Sequence, residues 1–332
     1  MIRQAKNAAR RLAGTRVLVF GDVMLDEYVT GHAGRISPEA PVAVLEEQQR
    51  SYVPGGAANT AANVASLGGS AMVVGLVGDD AAAAHLRDAL VEAGVDFSGL
   101  VADPARPTTT KTRIVAGQHQ LVRVDREARD QAVGALESGL LSAVEARLPQ
   151  ARACVVSDYA KGTVTRRLAR RVIAAAVEQG VPVVVDPKTN DFRKYHGATV
   201  ITPNALELAR ALGLESVGDG GVLAAGRKLQ RSLGHTSILV TLGARGVALF
   251  APGEEPYEVP SRARSVFDVT GAGDTVVAAL ALALGAGRPM PVAVELANLA
   301  AGVAVSKPGT ARVTLAELLA AKDPSAPTPK SK

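Results

Sequence analysis

Arg16-Val17-Leu18-Val19-Phe20-Gly21-Asp22 is an apolar run of strand length that ends in a carboxylate. Nothing between Arg16 and Asp22 is polar, so both faces of such a strand have to be covered. Similar runs recur at residues 71–77, 152–157, 181–186, 199–202 and 237–241, each followed by loop and then by a helical, often alanine-rich stretch. That alternation predicts an α/β fold with a central, mostly parallel sheet flanked by helices on both faces. Ligands bind such sheets at the carboxyl ends of the strands. This chain places Asp22, Asp158, Asp186, Asn204 and Gly243 there.

Two segments, 34–52 and 108–126, break the pattern with short alternating strands and no helix between them. They read as a small β-sheet lid. Because side chains alternate along a strand, Lys111 and Arg113 share one strand face, and Arg123 and Asp125 another, giving charged faces able to close over a substrate. With no repeat and no linker, residues 1–322 read as one core with its lid, and the Pro/Ser/Lys-rich tail at 323–332 is expected to be disordered. An exposed β-lid is also expected to pair with a twin across a two-fold axis, giving a homodimer.

Chemistry concentrates at Val269-Thr270-Gly271-Ala272-Gly273-Asp274-Thr275, just before an apolar helical run. Unpaired N–H groups of Gly271, Ala272 and Gly273, together with the positive helix end, suit an anion. A carboxylate in that turn would repel a bound phosphate unless it accepts a proton from a hydroxyl while the amides neutralise a phosphoryl group in transfer. Asp274 is therefore read as the base of a phosphotransfer site. The reading fails if that side chain is buried or turned away from any cleft able to admit a nucleotide. Other glycine motifs are absent. A dinucleotide fingerprint needs a third glycine where Val276 stands, and the nearest approach to a P-loop has Arg-Lys-Leu after Gly226.

The 332 residues, 47% hydrophobic and 21% charged, can bury a large core. No apolar run reaches the roughly 18–20 residues that cross a bilayer, and the basic start leads into a strand, so a cytoplasmic protein without membrane partners is expected. A formal charge of +5 with 3% aromatic residues and no tryptophan argues against nucleic acid and suits polyanionic small substrates. Cys154 is the only cysteine and reads as a core thiol.

Gly55-Gly56-Ala57-Ala58-Asn59 with Asn63, paired with Asp268 to Thr275 near the other end, resembles the ribokinase-like (PfkB) carbohydrate kinases, and the likeness extends over nearly the whole chain. Within that family, four further stretches are similar to kinases of D-glycero-β-D-manno-heptose 7-phosphate. They are Gly21-Asp22-Val23-Met24-Leu25-Asp26, Arg35-Ile36-Ser37-Pro38-Glu39-Ala40-Pro41-Val42, Ser157-Asp158-Tyr159-Ala160-Lys161-Gly162 and Asp186-Pro187-Lys188. The resemblance implies a ribokinase-like fold and an ATP- and Mg2+-dependent transfer to the anomeric hydroxyl, in ADP-heptose biosynthesis. Such kinases are often fused to an adenylyltransferase with a His-x-Gly-His motif. None of the five histidines begins one, which implies a stand-alone kinase. The alternatives are a PfkB-type kinase of a ribose- or fructose-like sugar, and a sugar-phosphate-binding regulator without turnover.

The same resemblance implies residue roles. Asp22, and more weakly Asp26, would grip sugar hydroxyls; Gly55 and Gly56 would offer bare backbone to the sugar, and Asn59 would reach its hydroxyls. Asp158 and Lys161 join the substrate site. Arg35, Lys111, Arg113, Arg123 and Lys161 form the cationic set for a sugar phosphate, and the sequence leaves open which of them touches it. Asn204 and Glu207 resemble the family's Asn-x-x-Glu element for ATP phosphates and hydrated magnesium, Glu207 acting through metal-bound water. Thr241, Gly243 and Gly246 resemble its nucleotide-edge turn, Asn298 is expected to border adenine, and Lys188 to lie within reach of phosphates.

Overall fold

A computed structural model describes residues 2–321 except 118, 219, 264, 265, 308 and 310, so the 323–332 tail lies outside the described residues. The strands are β1 (Arg16–Gly21), β2 (Val23–Ile36), β3 (Ala43–Gly56), β4 (Ser70–Val77), β5 (Asp96–Ala102), β6 (Thr110–Ala116), β7 (His119–Arg126), β8 (Ala153–Ser157), β9 (Val183–Asp186), β10 (Val200–Ile201), β11 (Ser237–Thr241), β12 (Val247–Phe250) and β13 (Tyr257–Val259). The helices are α1 (Ile2–Ala9), α2 (Ala57–Ser66), α3 (Ala81–Glu92), α4 (Ala135–Arg147), α5 (Arg166–Glu178), α6 (Ala205–Ala211), α7 (Val222–Ser232), α8 (Ala272–Gly285), α9 (Met290–Ala304) and α10 (Leu315–Ala320).

Nine strands form the main sheet in the order β13-β12-β11-β10-β9-β8-β1-β4-β5, parallel from β5 across to β11. Strand alternation divides its apolar residues between two cores. Val17, Val19 and Val155 face α1, α2, α3, α8, α9 and α10, whereas Leu18, Phe20, Cys154 and Val156 face α4, α5, α6 and α7. The expected helix-covered sheet is thus observed. Its far edge differs from expectation, because β11 is followed by the antiparallel strands β12 and β13, where a helix was expected. Cys154 is a core thiol: burial pushes its pKa up to about 12. No helix among the described residues is long and apolar enough to cross a membrane.

A second sheet, β3-β2-β6-β7, is the lid. It is longer than the 34–52 and 108–126 segments expected of it. β2 already begins at Val23, directly after Asp22, and pairs with β3 down to Gly56. The carboxylates Asp26 and Glu27 mask the alternation there. The β6–β7 register sets Lys111 opposite Asp125 and Arg113 opposite Arg123, while β2 sets Asp26 opposite Lys111 and Tyr28 opposite Arg113. Directly opposed residues share a face, so what were read as two charged strand faces merge into one. The other face, through Tyr52, stacks on His85 of α3 with ring centroids 4.0 Å apart.

Candidate active site

Helix α8 is apolar all round and buried from Asp274 to Ala283, so it is fixed on every side. Its N-cap, Gly271, is left-handed at φ 76°, a conformation that favours glycine. A Cβ at Gly273 would meet nothing within 4 Å, because that position opens into a cavity of about 500 Å3. This cavity brings together Asn204, Thr241, Gly243, Gly246, Ala272, Gly273 and Asn298, residues from four separate stretches of the chain. Of the three amides expected to be free, that of Ala272 closes a turn onto the Val269 carbonyl at 3.2 Å. Those of Gly271 and Gly273 have no acceptor among the described residues.

On the other side of the same turn, the Asp274 carboxylate is buried, at 7% exposure. A side chain that is not buried was required, and that expectation is corrected. Asn59 Nδ2 donates to Oδ2 at 2.6 Å, while Thr60 Oγ1 at 3.0 Å and the Tyr159 hydroxyl at 2.6 Å donate to Oδ1. Burial pushes its pKa up, and the donors from Tyr159, Asn59 and Thr60 pull it down. All three are neutral, so the carboxylate is held without being neutralised. The turn that carries it lines the cavity through Ala272 and Gly273, but Asp274 is not itself among the lining residues. Asn63, expected as part of the first glycine motif, accepts from Thr275 Oγ1 at 3.0 Å and so locks α2 to α8.

Asp22 is not placed as expected. Its oxygens accept the backbone N–H groups of Tyr159 (2.8 Å), Lys161 (3.1 Å) and Thr163 (2.9 Å), which leaves it holding a loop instead of gripping a sugar. Burial, followed by the nearby Asp158 charge, pushes its pKa up. Asp158 is likewise occupied, by Lys194, by the Tyr195 hydroxyl at 2.6 Å and by the Ala160 amide at 2.8 Å. Asp26, the weaker candidate, is better placed. Its carboxylate lies over Gly55, where a Cβ would come within 2.9 Å of Oδ2, and its charge opposes ionisation of Asp274. The space beside Gly55 and Gly56 is thus filled by Met24, Asp26 and the Asp22 carbonyl; the glycines serve the close β2–β3 approach, not a bare platform.

Three of the five candidate cations gather around Asp26. Arg113 pairs with it at 2.7 Å, and the charges of Lys111 and Arg123 also favour its ionised form, although burial is the larger influence and raises its pKa. Lys111 and Arg123 share Asp125, at 3.2 Å and 2.8 Å. Lys161 pairs with Glu127, and Arg35 lies exposed toward the lid end beside Glu46, so the structure does not bring Arg35 to the site.

Asn204 and Glu207 cap α6 reciprocally: Asn204 Oδ1 accepts the Glu207 amide at 2.9 Å and Glu207 Oε2 accepts the Asn204 amide at 3.0 Å. The other Glu207 oxygen pairs with Lys188 at 3.1 Å. Asn298, on α9, is buried and donates to the Pro260 carbonyl at 2.8 Å. Residue-by-residue reading missed Tyr159 and Thr60, and it gave Asp186 no role beyond a strand end and a quoted motif. The Asp186 carboxylate has no hydrogen-bond or ion-pair partner among the described residues, and desolvation, with Asp274 and Glu207 nearby, pushes its pKa well up.

The chain is 47% identical over 311 residues to the bifunctional protein HldE of Azorhizobium caulinodans, covering 93% of this chain and 65% of that protein. It is 49% identical over 313 residues to the protein of that name from Caulobacter vibrioides, covering 94% and 64%. It therefore spans just under two thirds of the length of these relatives. Among solved structures, Arabidopsis thaliana ribokinase complexed with ribose and ATP superposes with a TM-score of 0.73 at 24% identity, over 93% of this chain and 98% of that one. Phosphofructokinase-2 from Escherichia coli in complex with potassium gives 0.75 at 21% identity over the same shares. These likenesses establish a ribokinase-like fold. Residues 14–316 match the pfkB family of carbohydrate kinases, and the chain belongs to that family.

Proposed function

We propose that the protein transfers the γ-phosphoryl group of ATP to the anomeric C1 hydroxyl of D-glycero-β-D-manno-heptose 7-phosphate, giving the 1,7-bisphosphate for ADP-heptose biosynthesis. The observation that carries this reading is the two-sided turn at the start of α8. Ala272 and Gly273 line the cavity on one side, and the Asp274 carboxylate with Asn59 and Asp26 lies on the other. ATP in the cavity would present its terminal phosphate to the turn, where the helix end and the amides stabilise developing negative charge. Asp274 takes the proton from the acceptor hydroxyl as the oxygen–phosphorus bond forms, and ADP leaves with the electron pair of the broken bond. Magnesium fits as a hydrated ion held mostly by phosphates. No group of three or more acidic, histidine or cysteine side chains able to cage a metal exists among the described residues, and Asp186 and Glu207 remain to orient its waters. Bound there, the ion would offset phosphate charge.

The heptose part of the reading rests on the resemblance of the motifs around Asp22, Ser37, Asp158 and Asp186, and on the cation cluster of Lys111, Arg113 and Arg123. The lid sheet of β2, β3, β6 and β7 closing over the main sheet makes one kinase unit with the core. The reaction belongs to the cytoplasm, which supplies ATP, and two copies pair through their lids. ADP release measured with heptose 7-phosphate and MgATP tests the activity. Turnover is expected, with Asp274→Asn lowering kcat by about 10^2–10^4-fold, the range for a general base. Preference for ribose or fructose would shift the acceptor assignment, and binding without turnover would make the protein a regulator.

A further inference from the structure

The Asp274 carboxylate is asymmetric in a way the transfer reaction alone does not require. Each carboxylate oxygen offers about two acceptor directions. Oδ1 fills both, with the Tyr159 hydroxyl at 2.6 Å and Thr60 Oγ1 at 3.0 Å, whereas Oδ2 receives only Asn59. We infer that Tyr159 is a positioning residue which, with Thr60, saturates Oδ1 and so makes Oδ2 the single oxygen that takes the proton from the acceptor hydroxyl. The inference rests on the reading of Asp274 as base. In the step itself the acceptor O–H proton goes to Oδ2, the oxygen's electron pair bonds to phosphorus, and the Tyr159 proton stays where it is. Burial and the Asp274 charge push the Tyr159 phenol well up, so it remains a donor.

The loop that carries Tyr159 is built to hold it. Asp22 accepts the amides of Tyr159, Lys161 and Thr163, and Asp158 accepts that of Ala160. Ala160 sits at φ 56°, the only non-glycine residue with positive φ among the described residues. Such a conformation persists only where the surroundings over-determine it. The strand-end carboxylate of β1 thus acts on the base at a distance, through a strained loop and a phenol. The other charges that bear on Asp274 are Asp26 of β2, which opposes its ionisation, and Asp186 at the end of β9, whose own carboxyl Asp274 pushes up.

The test is the titration of Asp274 in the ligand-free protein labelled with 13Cγ-aspartate, the signal being assigned by its loss in Asp274→Asn. Tyr159→Phe removes a donor to the anion, so the midpoint is expected to move to higher pH. The acid limb of kcat with heptose 7-phosphate and MgATP should move the same way, with kcat down about tenfold as for a lost charge-assisted hydrogen bond, and the KM for ATP within about twofold. A midpoint that stays put in a folded Tyr159→Phe overturns the inference, even if activity falls. Should that variant fail to fold, Thr60→Val, which strips the second donor from Oδ1, must raise the midpoint, and an unmoved value overturns it equally. Absence of sugar turnover by the unaltered protein would count against the proposed reaction, while the titration would still decide the role of Tyr159.

Discussion

Asp22 and Asp26 are four residues apart on one continuous stretch of backbone, yet their oxygens serve different ends. Asp22 terminates β1 and answers three backbone donors of a single loop; Asp26 sits on β2, over Gly55 and against Arg113. Replacing Asp22 by Ala orphans three amides, at about 1–3 kcal/mol for each buried donor left without an acceptor. A marked loss of thermal stability is expected. Asp26→Asn keeps size but removes charge from the face that the sugar would meet. Its sugar KM should rise about tenfold or more while the KM for ATP stays within about twofold, the discrimination expected when one charged hydrogen bond to a substrate is lost. Steady-state kinetics with each substrate varied in turn, beside a melting curve, separates the two roles. A sugar KM raised by Asp22→Asn and not by Asp26→Asn would reverse the assignment.

At the level of the element, the proposed nucleotide site would sit against a helix start that is poor in helix propensity. Gly273 occupies the second helical position with open space where its Cβ would be. Ala there should stabilise the protein by about 0.5–1 kcal/mol, because glycine is the poorer helix former. The added methyl enters the cavity, however, so the KM for ATP should rise while that for the sugar holds; a stabilised variant with unaltered ATP dependence would place the nucleotide elsewhere. The elements themselves were legible to different degrees. β1, β4, β8, β9, β10 and β11 announce themselves as apolar runs because both their faces are covered. β5 (Asp-Phe-Ser-Gly-Leu-Val-Ala) is an edge strand of the sheet and has no clear pattern. β2 was read too short because Asp26 and Glu27 interrupt its first turn of alternation. For the site, the glycine turns and the nucleotide-edge residues were readable as local motifs, and the cavity gathers them. Tyr159 and Thr60 were not, since their meaning lies in contact with a residue 115 and 214 positions away.

For the molecule as a whole, the lid raises a question of surface. β7 is exposed at all eight residues, and it forms the outer edge of its sheet. One of its faces carries Arg123 and Asp125 beside Lys111 and Arg113, around Asp26. The opposite face carries Val122 and Val124, about half exposed, at 48% and 54%. Apolar side chains on an unpaired edge strand invite another strand or sheet, and natural sheets usually blunt such edges with charge when they remain single. On the proposed reading that charge serves the substrate side, which would leave the apolar side for a second copy. Sedimentation of the unaltered protein at micromolar concentration should give the mass of two chains. Val124→Lys puts a cation on that face, opposite to the one that carries Lys111, Arg113, Arg123 and Asp125, and should shift the species to one chain. If the lid needs its twin to keep Lys111, Arg113 and Arg123 in register, kcat/KM for the sugar phosphate should fall with dimer content and recover as protein concentration is raised. A single-chain species for the unaltered protein across that range would show that the lid acts alone.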